Sequence, residues 1–194
     1  MHLIQRSVMI VSNNGKLTNY MKAEMPHERF YPVYVVTNAA QARQTELRTP
    51  VDIVIINTPL SDEFGTKLAE DLSRECAVAL IVSPELTERV TNKLEPYGVV
   101  TLPSKFYKTV FSQTLTLLAS SVTKMSMLRK ESETLKTKLR EIKAMTKAKA
   151  LLISEKGMTE EQAHRYIEKL AMDTSRKKIE VVRSIIEDLS NEDI

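Results

Sequence analysis

Apolar residues in the front part of the chain gather in short, nearly continuous runs, whereas further on they recur every three or four positions. The runs fall at 8–11, 31–37, 51–56, 77–82 and 99–102 and are rich in Val and Ile. Runs this apolar on both faces fit strands of a parallel sheet covered by helices on each side. Between them the spacing turns helical. Leu17, Tyr20 and Met21 follow the break at Ser12-Asn13-Asn14-Gly15, and Asn38 can cap a helix that runs to Leu47 before Thr49-Pro50 stops it. Further helices are expected over 64–73 and 83–95. Five β/α units in about 105 residues predict a doubly wound α/β domain with the flavodoxin-like strand order 2-1-3-4-5 and its function at the carboxyl ends of the strands.

From 105 to about 154 there is no Gly and no Pro, which predicts one long helix. Leu128, Leu135 and Ile142 recur every seven residues, with Met125, Ser132, Leu139 and Thr146 at the complementary position. That is the a/d seam of a coiled coil with two polar interruptions. A lone helix of this polarity is not stable on propensity alone. The expected partner is its copy in a second chain, giving a parallel homodimer through Met125, Leu128, Leu135, Leu139 and Ile142. The alternative is that the seam folds back on the same chain's last helices.

Gly157 suits a left-handed helix end, and Thr159 with Gln162 fits a capping box. The next helix puts Ala163, Tyr166, Ile167, Leu170 and Ala171 on one face. Asp173-Thr174-Ser175 breaks it, with Ser175 expected to cap a last helix carrying Ile179, Val182, Ile185, Ile186 and Leu189. With Met145, Ala148, Leu151 and Leu152 these predict a small three-helix core, so the whole chain reads as α/β plus all-α. The expected divisions are 1–120, a linker helix over 121–147, and 140–194 overlapping its end.

Composition sharpens this. A hydrophobic share of 42% with only four Gly and seven Pro supports packed cores rather than disorder. The net charge of +3 is uneven: residues 105–194 hold 18 Lys/Arg against 13 Asp/Glu, residues 1–104 hold 10 against 12. A basic back part suggests an anion-binding module. The single cysteine, Cys76, suits a reducing compartment. The first residues lack a signal-peptide pattern and no apolar stretch is long enough for a membrane span, so a cytoplasmic protein is expected. His2, His27 and His164 stand apart, with no metal-ligand spacing, phosphate loop or nucleophile pattern nearby. No enzyme, metal or cofactor is expected.

The strand-end residues of 1–120 resemble those of response-regulator receiver domains. Such domains carry acidic Mg²⁺ ligands after the first strand, a phospho-accepting Asp after the third, a Ser/Thr after the fourth and a Lys after the fifth. Here those places hold Ser12 and Asn13, Asn57, Ser83, and Ser104 with Lys105 one step on. An amide cannot form an acyl phosphate, and Mg²⁺ wants charged oxygen ligands. The resemblance therefore implies a pseudo-receiver, with Asp52 at the wrong end of its strand to help. Asp62 and Glu63 read as solvated charges at the start of the next helix.

Residues 140–190 resemble the ANTAR domain, an antitermination module of bacterial regulators. The match runs through Ala148-Lys149-Ala150-Leu151-Leu152, Gly157-Met158-Thr159-Glu160-Glu161-Gln162-Ala163, Tyr166-Ile167-Glu168-Lys169-Leu170-Ala171-Met172-Asp173 and Arg176-Lys177-Lys178, departing mildly at Ala150 and Val182. The resemblance implies binding of tandem hairpins in a nascent transcript so that a terminator cannot form. Lys147, Lys149, Arg165, Arg176, Lys177 and Lys178 are the expected RNA contacts, near helix junctions. Tyr166 could stack on a loop base or pack in the core. The alternative function is a non-catalytic interaction adaptor, in which the receiver-like part binds an unknown protein and the helices only dimerise it.

Overall fold

The computed structural model describes residues 4–190. The chain divides into two compact units, 1–126 and 127–194. Residues 1–3 and 191–194, included in the expected divisions, lie outside the described residues, and His2 is among them.

The first unit alternates β1 (Arg6–Val11), α1 (Gly15–Ala23), β2 (Phe30–Val36), α2 (Ala39–Arg48), β3 (Ile53–Asn57), α3 (Thr66–Leu72), β4 (Ala77–Val82), α4 (Thr87–Leu94) and β5 (Val100–Pro103). The sheet has the order β2-β1-β3-β4-β5, every pair parallel. The central strands β3 and β4 are buried at every position, which is why their sequences are apolar throughout rather than alternating. Alternate residues still serve opposite layers. Met9, Val54, Ile56, Val78 and Leu80 pack with Ala42 of α2, Leu68 of α3 and Val90 of α4. Ile10, Ile53, Ile55 and Ile81 pack with Met21 of α1 and with Phe111, Leu115 and Leu118. The last three begin α5 (Lys108–Lys156), which contains no Gly or Pro along its 49 residues.

Local chemistry sets the helix starts. Asn14 and Asn38 cap α1 and α2, accepting from the Leu17 N–H at 3.1 Å and the Gln41 N–H at 2.8 Å. Asp62 differs from expectation. Its carboxylate reaches across to α2 and accepts the Ala39 and Ala40 N–H groups, each at 2.9 Å, so it supplies an N-terminus distant in sequence. These backbone donors hold its carboxyl below the usual carboxylate range. Glu63 does serve the following helix, accepting the Leu68 N–H at 2.9 Å, and also pairs with Arg43 at 3.0 Å. The helix expected over 83–95 opens with a separate 3₁₀ turn, Pro84–Leu86, before α4. Asp52 sits at the start of β3, where it accepts the Ser7 N–H at 2.9 Å, at the end of the strand away from Asn57.

The second unit contains the rest of α5 with α6 (Glu160–Asp173) and α7 (Lys178–Ser190). Ala148 and Leu152 meet Ala163, Ile167 and Ala171 of α6 and Val182, Ile185 and Leu189 of α7 in one buried cluster. The expected stripes form this core, with Val181 added, which the spacing did not single out. Gly157 adopts φ 63°, a left-handed conformation that ends α5. The capping box closes as expected: the Thr159 N–H donates to Gln162 Oε1 at 2.8 Å and the Gln162 N–H to Thr159 Oγ1 at 3.2 Å. Ser175 does not cap α7. It takes a left-handed φ of 52°, its N–H donates to the Met172 carbonyl at 3.2 Å, and the turn continues. The Lys177 carbonyl instead accepts the first helical bonds, from Glu180 at 2.9 Å and Val181 at 3.3 Å. Among the described residues, no helix is long and apolar enough to cross a membrane.

Candidate functional site

At the carboxyl ends of the strands, register brings the receiver-type positions together. Asn57 ends β3 and Ser12 follows β1; both are buried, and the Asn57 amide donates to Ser12 Oγ at 3.2 Å. Ser12 Oγ also accepts the Asn14 N–H at 3.1 Å. Asn13 turns outward, its amide donating to the Pro59 carbonyl at 3.4 Å. Ser83 follows β4, and its hydroxyl is engaged with Glu85. That carboxyl lies below its usual range because of its own backbone N–H, then the Ser83 hydroxyl, then the charge of Lys105. Ser104 follows β5, its N–H donating to the Val82 carbonyl at 2.6 Å. The five receiver-type positions are thus neutral, with Asn57 and Ser12 bonded to each other and the others held by neighbouring groups. Among the described residues there is no cluster of three or more His, Cys, Asp or Glu side chains able to hold a metal.

In the second unit the six expected cations do not form one cluster. Lys149 meets Glu160 at 3.0 Å and Arg165 meets Glu161 at 2.5 Å, both near the start of α6. Arg176 and Lys178 lie beyond its other end, across a helix of 14 residues, about 20 Å at the usual rise. Arg176 donates to Ser184 Oγ at 3.0 Å and lies 3.9 Å from Glu180. Lys178 bonds Glu168 at 2.5 Å, which holds that carboxyl below its usual range, helped by His164. Lys147 and Lys177 are exposed. A pair as exposed as Lys178–Glu168 is screened by solvent and contributes little, so an incoming phosphate can exchange for the carboxylate at small cost.

Two open hollows mark this surface. One, of about 330 Å³, lies between Glu168, Ala171, Met172, Arg176 and Lys178. The other, of about 420 Å³, lies at the turn after α5 and is lined by Lys156, Met158, Gln162, Arg165, Tyr166 and Lys169 among others. Lys156 and Lys169 were not anticipated from the sequence. Their signal was present: Arg165 and Lys169 are one turn apart and, with Gln162, form the exposed side of α6 that flanks Tyr166. Tyr166 is half-buried at the rim of the core, and the Lys156 ammonium stands 5.9 Å from its ring centroid.

Along α5, Leu128, Leu135, Leu139 and Ile142 are 54%, 59%, 53% and 63% exposed, and Met125 is half-buried. No element of the described chain covers the four seam positions from Leu128 to Ile142.

Comparison with known proteins agrees with this architecture. Residues 133–186 match the family model of the ANTAR domain. The aliphatic amidase regulator of Pseudomonas aeruginosa is 29% identical over 145 residues, 71% of each chain. The transcriptional regulatory protein PdtaR of Mycobacterium tuberculosis is 25% identical over 190 residues, 96% of this chain and 92% of its own. The signal receiver domain of an HD domain-containing protein from Pseudomonas fluorescens superposes with a TM-score of 0.56 at 16% identity, covering 66% of this chain and 96% of that one. The chain therefore carries an ANTAR domain after a unit with the receiver fold.

Proposed function

We propose that this chain is an RNA-binding regulator of transcription antitermination, of the response-regulator type. Its residues 140–194 hold tandem hairpins in a nascent transcript and so keep a competing terminator from forming. The observation that carries this reading is the ANTAR match at 133–186, laid on a packed three-helix core whose outer faces carry Lys147, Lys149, Arg165, Arg176, Lys177 and Lys178. Phosphate contacts from such side chains position an RNA without reading its sequence, and splayed loop bases supply the discrimination.

Residues 1–120 serve in this reading as a pseudo-receiver. Ser12, Asn13, Asn57, Ser83 and Ser104 supply neither a carboxylate nucleophile nor charged ligands for Mg²⁺. Its signal is then something other than phosphorylation, such as a partner protein bound to that unit. Residues 121–147 are the dimerising segment, and two copies present two hairpin-binding surfaces to two hairpins.

The test is binding of the purified chain to a tandem-hairpin RNA at two salt concentrations, without a phosphodonor. The expected result is tight binding whose log K falls in proportion to log salt, weaker binding to duplex DNA, and a marked loss in Lys149→Ala/Arg176→Ala. Absence of any RNA preference would favour the adaptor reading.

A further inference from the structure

The hollow beside Gly157 differs from the rest of the basic surface. Around Arg176 and Lys178 the cations are already matched by acids, Glu180 and Glu168. Around Tyr166 only Arg165 is so matched, by Glu161. Lys156, Arg165 and Lys169 line the hollow, and no Asp or Glu does. Arg165 has Glu161 as a neighbour outside the hollow, Lys156 lies over the Tyr166 ring, and Lys169 makes no ion pair among the described residues. Three cations, an aromatic ring and the apolar Met158 thus surround an open space of about 420 Å³, within the size range of small-ligand clefts.

Each part of this arrangement has a chemical counterpart in one ligand class. The ring packs against the rim of the core, which restricts it before anything binds. A ring restricted in this way offers a stacking face for a planar base at reduced entropic cost. Lys156 covers that ring only through an exposed cation–π contact, which is weak enough for a base to displace. The released ammonium, with Arg165 and Lys169, is then placed for the phosphates flanking the base. A base inside a duplex is stacked on both sides and cannot enter, whereas a base in a hairpin loop can.

Resting on the RNA-binding reading above, we infer that this hollow is the subsite for one unstacked nucleobase of a hairpin loop. Tyr166 is its stacking platform, and Lys156 and Lys169 hold the neighbouring phosphates. Backbone contact by Arg176 and Lys178, beyond the end of α6, is then separable from base capture at Tyr166.

The experiment uses the full chain, a hairpin RNA, and the blunt-ended duplex of the same stem. The expected result is that Tyr166→Leu weakens hairpin binding by about tenfold, Tyr166→Phe leaves it within about twofold, and neither changes duplex binding. Lys156→Gln/Lys169→Gln is expected to lower the salt slope for the hairpin by about one to two. Because both lysines are on the surface, this variant tests the site even if Tyr166→Leu unfolds. If the wild type prefers the hairpin but the double variant keeps its affinity and slope, the subsite is overturned while the RNA reading stands. Equal losses on hairpin and duplex would overturn base capture in favour of plain phosphate contact. If the wild type binds neither RNA, the RNA reading fails and the subsite falls with it.

Discussion

Asn57 is the residue on which the reading of the first unit turns. It is buried at the end of β3, and its amide donates to Ser12 Oγ at 3.2 Å. An aspartate there would have the shape of a phospho-acceptor without its surroundings. Asn57→Asp replaces a neutral donor by a carboxylate facing a single hydroxyl. The expected cost is about 1–3 kcal/mol at neutral pH, the usual penalty for a poorly compensated buried polar group. Burial raises the folded-state pKa of such a carboxyl, so the destabilisation is full above that pKa and disappears below the unfolded one. Urea denaturation of wild type and variant at neutral and acid pH reads this directly, with the gap closing as pH falls. Acetyl phosphate with Mg²⁺ is expected to add no phosphoryl mass to either protein, because positions 12 and 13 still offer only Ser and Asn. A phosphoryl gain on the variant would show that the site binds Mg²⁺ after all.

At the scale of elements, the turn between α5 and α6 isolates a backbone effect. Gly157 has φ 63°, and a Cβ added there would meet nothing within 4 Å. Gly157→Ala therefore costs only left-handed strain, about 1–2 kcal/mol, whereas Gly157→Asn is expected to cost less. The denaturation midpoint of the C-terminal unit, followed by its helix signal, distinguishes them; equal midpoints would mean that the turn relaxes. Gly157 belongs to what the sequence announces by itself, as do the cap at Asn38 and the capping box, because each is written within four residues. The buried parallel sheet was legible for a similar reason, since runs as apolar as 51–56 and 77–82 admit little else, and its order followed from the count of five β/α units. The departures arise where the partner is remote or the local rule is ambiguous. Asp62 caps a helix 23 residues upstream, which no local spacing reveals. Ser175 has a side chain suited to capping but a backbone drawn into the turn that ends α6. At the basic surface, residue type pointed to Arg176 and Lys178. The placement of Lys156 over Tyr166 depends on how α5 and α6 pack, and that only a structure displays.

For the whole molecule, the question is what covers the middle of α5. Leu128, Leu135, Leu139 and Ile142 are each more than half exposed in the isolated chain. Burying a side chain of this kind fully contributes about 1.5–3 kcal/mol, and a long helix without tertiary cover is marginal in water, so the stripe is costly unless occupied. A second copy offers the same heptad phase to meet it, with Lys and Glu on the flanks, including the Lys136–Glu133 pair at 3.1 Å. Leu135→Lys/Ile142→Lys would put like charges into such a seam. Sedimentation of this variant is expected to give monomers where the wild type gives dimers, with the unit-two core at Ile167 and Ile185 intact by its own unfolding transition. The consequence for RNA follows from effective concentration. A dimer holding two hairpins on one transcript gains avidity that a monomer lacks, typically about a hundredfold or more. The monomeric variant should therefore bind a tandem-hairpin RNA no better than a single hairpin, while its single-hairpin affinity stays near that of the wild type. A variant that remains dimeric would move the interface off the seam. One that turns monomeric yet keeps its tandem preference would mean that each chain spans both hairpins alone.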